Sequence, residues 1–156
     1  MALPPSGANT PSSWMRLALD QARRAAFLGE VPVGAVIVHN NQVIASAHNL
    51  VEATPDATAH AEILALRQAC HILGDVRLTE CDLYVTLEPC PMCAQAISFA
   101  RIRRLYFGAY DPKGGGVEHG PHIFQQSSCH FRPEVIGGIC EQECRIVLQD
   151  FFSKLR

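Results

Sequence analysis

LYVTLEPCPMCA, residues 83–94, is the stretch on which the fold turns. Its first half is rich in β-branched and aromatic residues, as strands are. Pro91 then stands where the first turn of a helix accepts proline, because that position needs no backbone N–H. The segment predicts a strand running straight into a helix over about 91–100, with Cys90 and Cys93 at the junction. A further β-rich run, RRLYFGA at 103–109, follows that helix.

The same order precedes it. VGAVIV at 33–38 and QVIASAHN at 42–49 are separated by HNN, where Asn40 and Asn41 suit a tight turn, so a buried hairpin is expected. A helix over about 59–73 then leads to the strand DLYVTL at 82–87. Strand, helix, strand twice in succession implies right-handed crossovers and parallel pairing beside the antiparallel hairpin. The expected class is α/β, with three layers: helices on both faces of a mixed sheet of about five strands. Ahead of the hairpin, Trp14, Leu17, Ala18, Ala22, Ala25 and Leu28 recur at helical spacing, with Ser12 or Ser13 as N-cap and Gly29 at the end. Cys144, Val147, Leu148, Phe151 and Leu155 mark one face of a last helix over about 141–153. The loop from Tyr110 to about Pro133 is too long for a mere connection, which points to function. Within it, DPKGGG lacks the lysine and hydroxyl residue that complete a phosphate-binding loop, so it reads as a flexible turn.

A chain of 156 residues suits one compact domain, expected over 12–156. The start, MALPPSGANTPSS, has neither the basic nor the apolar region of a secretory signal, and residues 1–11 read as a disordered tail. With 48% hydrophobic and 18% charged residues the composition is globular, and no apolar run approaches the roughly 20 residues of a membrane helix. Seven cysteines, an odd number, argue for reduced thiols and a cytoplasmic protein, not a disulfide framework. The net charge of -2 lacks the strongly basic footprint of general nucleic-acid binding, so any such contact must be local. Arg101, Arg103 and Arg104, and likewise Arg16, Arg23 and Arg24, read as solvated faces.

TAHAEILALRQA, residues 58–69, carries the chemistry that the cysteines need. Cys90 and Cys93 at a helix start favour the thiolate, since the helix dipole lowers a cysteine's pKa there. His60 stands at the start of the preceding helix, and helix starts that follow parallel strands open on one edge of the sheet. One nitrogen and two sulfurs suit zinc, and three protein ligands leave a fourth position for water, the mark of a catalytic site. Zinc can lower the pKa of that water to about 7. Residues two apart on a regular helix do not face the same way, so His60 must lie at an irregular first turn if Glu62 is to reach that water and move its proton. Taken alone, the CxxC could be a redox pair, or half of a structural zinc site completed by Cys70, His71, Cys81 or Cys129. A redox pair leaves His60 and Glu62 unexplained. His119, His122, Cys129 and His130 read as loop or partly buried polar residues in preference to a second metal site.

H-x-E followed by P-C-x-x-C is the known signature of zinc-dependent nucleobase deaminases. The sequence resembles the bacterial tRNA-specific adenosine deaminase family (TadA type) through EVPVGAVIVHNN, ATAHAEILALRQA, LYVTLEPCPMCA, ARI and FGAYDPKGG, over roughly residues 12–114 and again at DFF in the last helix. The resemblance implies a cytidine-deaminase-like α/β/α fold, a homodimer with one Zn2+ per subunit, and deamination of adenosine to inosine at the wobble position of a tRNA anticodon stem-loop. By the same resemblance His60, Cys90 and Cys93 are the zinc ligands and Glu62 the proton shuttle. Asn49 contacts the target nucleotide, Val33 walls the pocket, and Asp111 and Lys113 lie beside the RNA. The alternative is a deaminase of a free base or nucleoside, guanine or cytosine, on the same scaffold. VEHGPHIFQQSSCHF, after Gly116, departs from the family's loop, and Lys154 and Arg156 stand where a more basic tail would hold RNA.

Overall fold

The computed structural model describes residues 9–155. Residues 1–8, most of the expected tail, lie outside that span. Pro11 already belongs to the first helix, α1 (Pro11–Phe27), because Thr10 caps it: Thr10 Oγ1 accepts the Ser13 N–H at 3.2 Å, and Ser13 Oγ accepts the Thr10 N–H at 3.0 Å. That reciprocal box, with proline at N1, outcompetes the expected Ser12 and Ser13 caps. The buried stripe of α1 also differs from the expected one. Met15 and Leu19 join Trp14, Ala18, Ala22 and Ala25 in the core, while Leu17 and Leu28 are 41% and 61% exposed.

The hairpin forms where the asparagines allow it. β1 (Gly34–His39) and β2 (Gln42–His48) pair antiparallel across Asn40 and Asn41, whose φ values of 50° and 58° give the left-handed two-residue turn that matches strand twist. Then come α2 (Ala61–Leu73), β3 (Cys81–Leu87), α3 (Pro91–Ala100) and β4 (Arg104–Ala109). After a 3-10 turn at Ile123–Gln125 and a short β5 (Glu134–Ile136), α4 (Glu141–Lys154) closes the chain. Leu155 falls beyond α4 and is 69% exposed, so it is not part of the buried face.

The five-stranded sheet has the order β2-β1-β3-β4-β5, antiparallel on both sides of β1 and parallel from β3 to β5. The mixed sheet and helices on both faces are as expected, with one correction. β2 and β3 run in the same direction around the α2 crossover, yet they do not pair, because β1 takes the place between them. Alternation along the strands divides the core in two. Ala35, Ile37, Leu83, Val85, Leu105 and Phe107 pack with Ala61, Ala65, Ala94 and Ile97 of α2 and α3. On the opposite face Val36, Val38 and Tyr84 meet Trp14, Met15, Ala18 and Leu19 of α1 and Cys144 of α4. There the paired Tyr84 and Tyr106 stack with ring centroids 4.4 Å apart. Helix α1 lies directly on β1: a Cβ at Gly34 would overlap the Ala18 carbonyl oxygen and sit 2.6 Å from Ala22 N.

Candidate active site

Because β2, β3 and β4 run in one direction, the segments leaving them emerge at one sheet edge. His60 arrives there as the N-cap of α2, extended at φ -75° and ψ 150°. Its non-helical backbone lets His60 and Glu62 converge although they are two residues apart. Asn49 holds this turn in place: its Oδ1 accepts the Ala61 N–H at 2.8 Å, and its Nδ2 donates to the Val31 carbonyl at 3.1 Å. Cys90 is the N-cap of α3, in extended backbone, and Cys93 lies in the first turn of that helix, fully buried.

His60 Nδ1 stands 3.6 Å from Cys90 Sγ and 3.5 Å from Cys93 Sγ. A tetrahedral zinc with ordinary bond lengths needs nitrogen–sulfur edges of about 3.6 Å, so the donor set fits the ion. Among the described residues this is the one group of three or more such side chains that could hold a metal, its ligand atoms all within 4.8 Å of one another. None of Cys70, His71, Cys81 and Cys129, the candidates for a closed structural site, joins it, nor do the histidines of the 117–133 loop. A hydrogen bond from Cys93, aided by His60 and opposed by burial, holds the Cys90 thiol well below the usual range. The same bond, with burial, pushes the Cys93 thiol up. Glu62 is 4% exposed, and burial raises its carboxyl to about 7. Cys93, Cys90 and the His60 ring are its neighbours.

These groups form the floor of a cavity of about 600 Å³, lined by Val33, Asn49, His60, Glu62, Cys90 and Asp111. Cys93 lies beneath the surface, and Lys113, on the Asp111 turn, is outside the lining. Phe151 and Phe152, at the end of α4, and Leu155 just beyond it border the cavity from the opposite face of the sheet. Two buried carboxylates pin the flanking loops. Glu30 accepts the Glu52 and Ala53 N–H groups at 3.0 and 2.9 Å, and Glu88 accepts N–H groups from the loop after β4. Arg103 and Arg104 of the expected clusters are elsewhere. Arg103 makes two 3.0 Å bonds to Asp82, Arg104 pairs with Glu134 at 3.2 Å, and both lie at the opposite end of the sheet from the cavity.

The sequence profile of MafB19-like deaminases matches residues 9–156. The chain belongs to that deaminase family. The deaminase is 54% identical to the tRNA-specific adenosine deaminase of Agrobacterium fabrum, over 92% of this chain and 94% of the relative. It is 56% identical to a protein solved in work on A-to-I editing by tRNA:A34 deaminases at the wobble position of transfer RNA. That likeness covers 86% of this chain and 98% of the other, with a TM-score of 0.85. A guanine deaminase from Nitrosomonas europaea is 21% identical with a TM-score of 0.79, covering 97% of this chain and 94% of its own, a likeness of fold alone. The deaminase's expected membership and fold are therefore borne out.

Glu30, Glu88 and the end of α4 are parts of the site that sequence reasoning missed. The only local signal was a carboxylate at each edge of an apolar segment, Glu30 before VPVG and Glu88 between LYVTL and the cysteine turn. Nothing near them in sequence shows that they are buried, or what they bind.

Proposed function

We propose that this deaminase converts adenosine to inosine at the wobble position of a tRNA anticodon, with zinc held by His60, Cys90 and Cys93. The observation that carries the reading is the spacing of His60 Nδ1 from the Cys90 and Cys93 thiols, 3.6 and 3.5 Å, with the buried Glu62 beside them in the lining of a cavity of about 600 Å³. The identity to tRNA-specific relatives supports the substrate. When bound, zinc supplies a Lewis acid that makes water acidic near neutral pH. Glu62 would take a proton from the attacking water and pass it to the base and the departing amine. A C–O bond forms at C6, the C–N bond breaks, and ammonia leaves.

Val33 forms a wall against the flipped base. Asn49, already committed to Ala61 and Val31, offers its remaining amide hydrogen and lone pair to the nucleotide. Asp111 faces the same cavity, while Lys113 meets a phosphate outside it. Local contacts of this kind suffice in a protein of net charge -2, because a single-stranded loop is recognised largely by pocket and stacking. Residues 12–156 act as one catalytic domain in a cytoplasmic homodimer. Supporting the dimer is an apolar patch on α2, α3 and the turn between α2 and β3, where Phe99 and Val76 are 73% and 67% exposed beside Ile63 and Ala96.

The test incubates the zinc-loaded protein with an anticodon stem-loop bearing adenosine at the wobble position, and in parallel with free adenosine, guanine and cytosine. Products are read by mass spectrometry. Inosine in the stem-loop alone is expected. Product from a free base, with the RNA intact, would replace the substrate by the free-base alternative.

A further inference from the structure

We infer that Glu88 is a positioning residue that sets the affinity for the RNA by clasping the loop 111–119 against the turn that carries Cys90. The inference rests on the tRNA reading above and names how one side of that binding site is built.

Glu88 is a carboxylate whose side chain is wholly buried, and no arginine or lysine pairs with it among the described residues. Such a group persists in a protein interior only where donors converge on it. Here five converge, all from one loop. Oε1 accepts the Asp111 N–H at 3.0 Å and lies 2.8 Å from His119 Nδ1. Oε2 accepts the Val117, Glu118 and His119 N–H groups at 3.2, 2.9 and 3.1 Å. Backbone bonds continue the seam: Glu88 N–H donates to Ala109 O and Gly116 N–H to Pro89 O, both at 2.8 Å. At Gly115 a Cβ would overlap Glu88 Oε2 and lie 2.6 Å from Asp111 O, so the clasp closes without room for a side chain.

Four of the five donors are backbone N–H groups, so Glu88 grips the loop mainly through its main chain. The loop so held brings Asp111 and Gly114 to the cavity wall. Glu88 is not one of the metal donors, and both of its carboxylate oxygens are engaged by the loop, so its service is to the bound RNA and not to proton transfer. Glutamine at this position keeps the volume but must turn an NH2 group toward two or three facing donors, which opens the clasp on one side.

The test compares zinc-loaded wild type, Glu88→Gln and Gly115→Ala, which breaks the same clasp from the loop side while leaving Glu88 intact. Zinc content, hydrogen exchange of peptides spanning 110–120, and steady-state kinetics on the stem-loop are measured. Both variants are expected to keep one zinc per chain, to lose exchange protection in that segment, and to raise KM about tenfold with kcat within about threefold. Unchanged protection in Glu88→Gln would overturn the clasp. A freed loop with wild-type KM, or a fall in kcat at constant KM, would overturn its role in binding. Zinc loss in both variants would assign Glu88 to the metal turn instead, and would also overturn the proposal. A wild-type protein that leaves the stem-loop unmodified would overturn the tRNA reading itself, whereas the exchange measurement, made without substrate, judges the clasp separately.

Discussion

Glu62 occupies the second position of α2, buried against the thiols of Cys90 and Cys93 yet outside the donor set of His60, Cys90 and Cys93. Its replacement removes a proton carrier and no ligand. Glu62→Ala is therefore expected to keep its zinc and its melting behaviour while kcat falls by about 10²–10⁴, measured by metal analysis beside single-turnover kinetics. Zinc lost from that variant would mean that Glu62 supports the metal. Cys90→Ala and Cys93→Ala should behave differently, because each removes a thiolate from a three-donor set: metal and activity should disappear together, by the same metal analysis. Full occupancy and turnover in either would require another ligand.

At the scale of elements, the site depends on three strand ends being held level at one edge, and α1 contributes by lying flat on β1. Gly34 makes that contact possible, since a Cβ there would meet the backbone of α1 at Ala18 and Ala22, which no rotamer change can relieve. Gly34→Ala is expected to cost about 1–3 kcal/mol, read from chemical denaturation of the zinc-loaded protein. An unchanged midpoint would show that α1 can lift from the sheet at no cost. The starts of α2 and α3 follow the same logic at closer range. Each is capped by a metal-ligand candidate in extended backbone, His60 or Cys90, neither of which makes a side-chain cap bond, so both side chains remain available to the site.

At the scale of the whole molecule, the arginines of β4 and the apolar patch on α2 and α3 have different partners. The arginines at the far end of the sheet are occupied by Asp82 and Glu134, whereas the outer side of α2 and α3 exposes Phe99 beside Val76. A homodimer through that patch predicts a solution mass twice the 17.1 kDa of the chain, and Phe99→Glu should shift the sedimentation boundary to the monomer. A boundary unmoved by that substitution would place the dimer contact elsewhere, and a monomer at all concentrations in the wild type would remove it.

Sequence alone determined the hairpin at Asn40 and Asn41, the helix beginning at Pro91, the mixed α/β class and the pairing of H-x-E with P-C-x-x-C. All of these are written within single segments, in turn chemistry, caps and periodicity, or in a signature that a family shares. Tertiary structure decided what segments do to one another. It placed β1 between β2 and β3, and chose Met15 and Leu19 over Leu17 for the core. It brought Phe151 and Phe152 to the cavity and buried Glu88 under N–H donors 23 to 31 residues away. A carboxylate's burial and a strand's neighbour depend on contacts that close long loops. Local propensity carries no information about such contacts, because their free energy exists only once the distant surfaces meet.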